Sequence, residues 1–346
     1  MKKTVRKNEQ RNEELLEQAK KIMEKEGAKG WNLTKKTLLK QETRSSQIKE
    51  ALNYIVQSPD FFRPGLAAIC SEAVGGTLEV TVPSSASLIM LGKAIGIHDD
   101  IVDNLKKRKE RQTLFGKFGK EIALIISDIL MFKGFTLLRK NSEIGISQKT
   151  EVKILETIDE FWFEQAEGET FELASRRQTT TTTQECLAKI KMRASELETV
   201  ARIGGILGGG LENEIEASGK YGRLLGTAAI LRDELVDMLE FDALKHRIKC
   251  ESLPLPMIYA LQNHNARTKI SQIISKKQFS NQDMLAISKI TDHAGGIGYV
   301  ADYITKTVQE TYSHIKTFTS KRRELQVIAN ALLVHPSDWK QTMESM

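Results

Sequence analysis

Cysteine is scarce: three residues, Cys70, Cys186 and Cys250, occur in 346, and no Cys-x-x-Cys pair is present. That excludes a disulfide scaffold and a cysteine-based zinc site, and it fits a reducing compartment, the cytoplasm. Proline is scarcer than average, with six residues and none between Pro83 and Pro254. Proline is the strongest helix breaker, so long helices are open to that stretch. No apolar run approaches the roughly 20 residues that span a bilayer, and the best candidate, Ile122 to Met131, carries Asp128. The charged start, Met-Lys-Lys, lacks the apolar core of a signal peptide. Nor does one sign of charge dominate: 51 Lys+Arg against 45 Asp+Glu leave a net charge of +6, with both signs interspersed. A nucleic-acid-binding stripe is therefore not expected. Only Lys2 to Arg11 and Lys106 to Arg111 are locally basic. The first reads as a solvated helix end, with peripheral contact to an acidic membrane surface as its other use.

What is present is globular: 40% hydrophobic and 28% charged residues. Apolar residues recur at three- and four-residue spacing in Leu187, Ile190, Leu197, Val200 and Ile203, and again in Leu224, Leu225, Leu231, Leu235 and Met238. Only Thr77 to Val82 alternates as a strand would. The expectation is an all-α, single-domain bundle of long helices. Residues 1–30 form a charged helix or arm, and 31–346 form the domain. Loops are expected near Ser58 to Asp60, Gly75-Gly76, Asn141 to Ser147, Arg176 to Thr183 and Lys249 to Pro254. Thr182 and Glu185 have capping-box spacing. Gly204-Gly205 and Gly208 to Gly210 follow no strand, so a dinucleotide fingerprint fails its context test, and close helix packing or a helix end is expected.

Two acidic clusters stand out. Asp99, Asp100 and Asp103 lie in Asp-Asp-Ile-Val-Asp; Asp233, Glu234 and Asp237 lie in Asp-Glu-Leu-Val-Asp. On a helix, positions i, i+1 and i+4 gather three carboxylates at one end of one face. Both clusters sit among apolar residues, where like charges are costly unless a cation neutralises them. Magnesium, which takes oxygen ligands and shares them with phosphates, is the candidate.

Here the sequence resembles the trans-isoprenyl diphosphate synthase (polyprenyl synthetase) family over roughly residues 50–330. Shared features include both acidic motifs, Arg108, Thr113, Phe118-Gly119, the run Gly168 to Leu173, Tyr221-Gly222, Leu225-Gly226, Leu255 to Leu261 and Gly295 to Ile297. The resemblance implies a helical bundle around a central cavity, commonly a homodimer, with a heteromer as the variant. It implies ionisation of an allylic isoprenyl diphosphate by Mg2+, three ions in all, held by the two clusters. Arg108, Lys109, Arg193, Arg247 and Lys249 would bind diphosphate. Arg193 stands where the family has lysine, and Ala194 where it has threonine. Ala94 and Ile95, five and four residues before Asp99, would line the prenyl pocket, and without an aromatic floor a long chain fits. His98 reads as structural, since magnesium prefers oxygen.

The pattern breaks at the second substrate. Where the family has Gly-Gly-Lys-Arg-x-Arg-Pro for isopentenyl diphosphate, this chain has Ser58 to Pro64: Asp60 replaces lysine, Phe61 replaces arginine, and Arg63 remains. Gly92 replaces a histidine, and Lys109 the second arginine. Three readings follow. The chain is a prenyltransferase using isopentenyl diphosphate or a less charged acceptor; or a class I terpene synthase on the same scaffold; or a non-catalytic subunit of a heteromeric synthase.

Overall fold

The computed structural model describes residues 2–108 and 110–334. Helices α1 (Lys2–Leu39), α2 (Ser46–Val56), α3 (Phe62–Ala73) and α4 (Val82–Val102) come first. A small antiparallel hairpin follows, β1 (Lys107–Arg108) with β2 (Arg111–Gln112). Then come α5 (Leu114–Phe118), α6 (Lys120–Leu138), α7 (Lys140–Glu143), α8 (Gln148–Ser175), α9 (Thr183–Arg193), α10 (Ser195–Leu207) and α11 (Glu212–Asp237). The remainder is α12 (Phe241–Cys250), α13 (Leu255–Ala260), α14 (His264–Ile274), α15 (Asn281–His293), α16 (Gly296–Ile315) and α17 (Arg322–Asn330). The architecture is all-α, as the periodicity implies.

One core is built on α3, α10, α11 and α16, and holds Ile203, Tyr221, Leu231 and Val300 fully buried. A second fills the seam between α4 and α6 with Ala94, Ile126 and Leu130, and α2 covers it with Leu52. The first helix runs through residue 30 without a break and buries Met23, Trp31 and Leu38; it packs on α3 and α4. The glycines set helix spacing. A methyl on Gly204 would run into the Ala67 carbonyl of α3, and one on Gly222 into the Leu197 carbonyl of α10. Gly209, at φ 74°, turns the chain after α10. Thr182 and Glu185 form the capping box that starts α9.

Two expectations need correction. The alternation at Thr77 to Val82 is not a strand: Glu79–Thr81 is a turn of 3-10 helix leading into α4, because Pro83 suits a helix's first turn. The most bilayer-like run is also not Ile122 to Met131. It is Glu79–Val102, 24 residues long, of which 72% of the most apolar window is buried inside the protein. That hydropathy belongs to a core helix clasped by α1, α3 and α6.

Candidate active site

Both acidic clusters lie at helix C-termini. Asp103 caps α4 and Asp237 is the last residue of α11. The helix dipole is negative there, so it adds to the carboxylates' mutual repulsion instead of relieving it. Each cluster has accordingly drawn cations.

Arg108, reaching back from β1, places Nε 2.9 Å from Asp100 Oδ1. Arg176, just past α8, donates from Nη2 to Asp103 Oδ1 at 2.6 Å. In the second cluster Arg247 of α12 is spent on three carboxylates: Asp237 at 2.9 Å, Glu234 at 3.3 Å and Glu251 at 3.4 Å. The other oxygen of Glu234 accepts the Leu255 backbone N–H at 2.8 Å, which locks that side chain to the start of α13.

The neutralisation is incomplete. Burial, with Glu169 beside it, pushes the Asp99 carboxyl up to about 7, against the pull of Arg193. Burial and Glu251 push Asp103 up to about 6, against Arg176. Burial also raises Asp100 and Asp237. Glu251 borders the second cluster through Arg247, so its influence on Asp103 places the two clusters within electrostatic reach of each other.

The other residues singled out from sequence divide as follows. Arg193 ends α9 and sits 3.5 Å from Glu169. Lys249 turns outward, with its ammonium 5.4 Å over the Phe279 ring. Lys109 lies outside the described residues. Ala94 is fully buried in the α4–α6 seam, where Ser127 Oγ donates to its carbonyl at 3.0 Å. Ser127 also meets His98 Nε2 at 3.0 Å, which ties that imidazole to α6. Ile95 is half-buried. Gly92, Gly96, Asp99 and Asp103 share one stripe of α4, at i, i+4, i+7 and i+11. A side-chain carbon at Gly96 would meet nothing within 4 Å.

Arg63 is neutralised from both sides. Its Nη1 lies 2.5 Å from Asp60 Oδ2, while Nε and Nη2 meet Glu196 Oε1 at 2.8 and 2.6 Å. Asp60 Oδ1 also accepts the backbone N–H groups of Phe62 and Arg63, an Asx-type start to α3. A side-chain carbon at Gly92 would stand 2.5 Å from Arg63 Nε and 2.7 Å from Glu196 Oε1. Phe61 packs edge-on to Trp31, ring centroids 6.5 Å apart. Sequence reasoning missed Glu196, which stands three residues after Arg193. It also missed Lys93, whose Nζ donates to the Ser58 carbonyl at 3.1 Å; burial pulls that amine down to about 8 despite Asp60. Missed as well were Lys189 and Ser252, the buried partners of Glu172 from the Gly168–Leu173 run. Lys189 Nζ lies 2.6 Å from Glu172 Oε2 and 2.5 Å from Ser252 Oγ.

The model of the polyprenyl synthetase family matches residues 45–291. The chain belongs to the polyprenyl synthetase family. It is thereby a prenyltransferase. The geranylgeranyl diphosphate synthase of Methanosarcina mazei is 25% identical over 274 residues, 78% of this chain and 83% of that one. The octaprenyl diphosphate synthase of Escherichia coli is 29% identical over 205 residues, 58% of this chain and 60% of that enzyme. In fold, the geranylgeranyl pyrophosphate synthetase of Pyrococcus horikoshii superposes with a TM-score of 0.79 at 20% identity, covering 92% of this polyprenyl synthetase family member and 98% of that chain.

Proposed function

We propose that this family member ionises an allylic isoprenyl diphosphate between its two acidic clusters and transfers the prenyl group to an acceptor less charged than isopentenyl diphosphate. The observation that carries the donor half is the pair of carboxylate clusters at the C-termini of α4 and α11, each drawing arginines yet leaving Asp99 and Asp103 burdened. The donor set is all carboxylate oxygen, which suits magnesium. Among the described residues no three acidic, histidine or cysteine groups form a ready-made cage. Asp99, Asp100 and Asp103 on one side, and Asp233, Glu234 and Asp237 on the other, would hold magnesium ions, three in the family's pattern. When bound, magnesium offsets the charge that develops on the leaving diphosphate. Arg108 and Arg193 would hold diphosphate oxygens, and Arg247, paired with Glu234 and Asp237, would keep them in position. The prenyl chain would run along the α4 face bearing Ile95 and Gly96, with Ala94 filling the seam behind.

The acceptor half rests on Arg63. A diphosphate entering there must displace two carboxylates from its guanidinium and then sit beside them. A neutral acceptor faces no such cost.

A homodimer is supported by two exposed apolar faces: Leu124, Ile125, Phe132 and Phe135 on α6, and Val152, Leu155 and Phe163 on α8. Phe132 is 75% exposed and Phe163 69%, more than isolated chains leave to water as a rule. The free thiols of Cys70, Cys186 and Cys250 suit the cytoplasm.

The test is incubation of geranylgeranyl diphosphate with magnesium, with and without isopentenyl diphosphate. Magnesium-dependent consumption supports the donor site. A hydrocarbon or alcohol formed from the allylic substrate alone would turn the assignment toward a terpene synthase. No turnover under either condition would sink the donor assignment.

A further inference from the structure

We propose that Arg176 is a diphosphate-binding residue, held in waiting on Asp103 until the acidic cluster is charged with cation. The inference rests on the donor site proposed above.

Arg176 is the first residue after α8, in extended conformation at φ −56° and ψ 130°. The next residue, Arg177, has φ 57°, a left-handed backbone that non-glycine residues adopt only when the surroundings impose it. Arg177 Nε donates to the Lys249 carbonyl at 2.7 Å, which ties the loop to the end of α12. From this turn Arg176 reaches the end of α4, at Val102 and Asp103.

There its guanidinium is only partly used. Nη2 meets Asp103 Oδ1 at 2.6 Å and Nη1 donates to the Val102 carbonyl at 3.3 Å, a long bond. Nε is buried and has no partner. A buried unsatisfied N–H is costly, and guanidinium presents its donors as a fork that matches a pair of anionic oxygens. The neighbouring arginines face more carboxylate: Arg108 directs two nitrogens at Asp100, and Arg247, whose Nε also lacks a hydrogen-bond partner, lies within ion-pair distance of three carboxylates. Arg176 combines a single carboxylate partner with a spare donor.

The charges around Asp103 give the arrangement its direction. Besides Arg176, that carboxylate feels Glu251, Glu169 and Glu172. Once Asp103 serves as a ligand to a cation, its hold on the guanidinium weakens. The oxygens of a diphosphate sharing that cation then become the nearest anions for the freed fork. Sequence spacing gives no hint of this, because Arg176 lies 73 residues from Asp103 in a stretch that reads as loop.

The experiment is calorimetric titration of inorganic diphosphate in magnesium buffer into the full chain, as wild type, Arg176→Gln and Arg176→Lys. Thermal melts of the metal-free proteins accompany it. Wild type is expected to bind, Arg176→Gln to lose about tenfold or more in affinity, and Arg176→Lys to fall between. Metal-free Arg176→Gln should keep the wild-type helical content but melt lower, because Asp103 loses its cation, and its affinity for magnesium alone should be unchanged or tighter. Equal diphosphate affinity in wild type and Arg176→Gln would overturn the proposal and leave Arg176 as a cap on α4. If Arg176→Gln does not fold, Arg176→Lys decides, since it keeps the charge and loses the fork: unchanged affinity overturns the proposal. A wild type that fails to bind diphosphate with magnesium overturns this proposal and the donor site together, whereas binding that is indifferent to residue 176 overturns this proposal alone.

Discussion

Glu196 reaches from α10 to take both Nε and Nη2 of Arg63, at 2.8 and 2.6 Å, in a space that exists because residue 92 is glycine. Arg63 is the one arginine retained from the pattern that the resemblance assigns to the second substrate. Its charge is answered inside the protein before any ligand arrives. The replacements at 60 and 92 therefore act together with Glu196: Asp60 and Glu196 supply the carboxylates, and Gly92 supplies the room.

Isopentenyl diphosphate should accordingly bind poorly to the magnesium-loaded protein carrying a non-ionisable allylic analogue. Glu196→Ala should tighten that binding, since removal of one carboxylate frees a charge-assisted donor pair worth about 1.5–3 kcal/mol. Calorimetry on the two proteins decides. Micromolar binding to wild type would refute the neutralised-acceptor reading.

Asp99 should destabilise the metal-free protein at alkaline pH. Its folded pKa, about 7 against an ordinary 3.8, favours the protonated form in the folded state. The stabilisation is thus complete below about 3.8 and is lost as pH rises through about 7. Asp99→Asn should raise the melting temperature in chelator at pH 8 by roughly 2 °C or more, with a smaller rise at pH 5, since the penalty builds from about 3.8 to about 7. Equal shifts at both pH values would show that Asp99 carries no electrostatic burden.

The Glu172–Lys189 pair runs the opposite way. Burial opposes charge on Glu172, yet Lys189 and the Ser252 N–H hold its carboxyl at about 2, below the ordinary 4.5. Its contribution is present above about 4.5 and is lost as pH falls through about 2. Lys189→Met should cost about 3–5 kcal/mol, because it strands a buried carboxylate. Adding Glu172→Leu should recover much of that. Urea melts of the single and double variants test it, and an additive double variant would refute the coupling.

The two flanks of α4 should respond differently to bulk. Gly96→Phe, which enters open space on the aspartate stripe, should leave stability near wild type and shorten the longest prenyl chain handled. Ala94→Phe should overpack the α4–α6 seam and cost about 1–3 kcal/mol. Product analysis and thermal melts on both variants check this; a product profile insensitive to Gly96→Phe would remove that face from the pocket.

Phe132→Glu combined with Phe163→Glu should convert the protein to monomer while its helical content is retained. Light scattering coupled to size exclusion reads the mass. A wild type that is itself monomeric would refute the assignment of α6 and α8 as the dimer face.

Much was legible along the chain because it depends on residues close in sequence. Helical periodicity, the proline-free stretch, the capping box at Thr182 and the two i, i+1, i+4 acidic clusters are local patterns, and local backbone geometry turns them into helices with carboxylates at one end. Gly204-Gly205 and Gly208 to Gly210 read as close packing or a helix end because no strand precedes them. Short apolar segments were less secure. Alternation at Thr77 to Val82 has the period of a strand, but Pro83 and the seam around α4 favour a helical turn. What the three-dimensional structure alone decided is which charges meet. Arg63 with Glu196, Arg176 with Asp103 and Lys189 with Ser252 are separated by 133, 73 and 63 residues. A Coulomb energy depends on distance in space, and burial sets the dielectric in which it acts. Neither quantity is written in the spacing of residues along one chain.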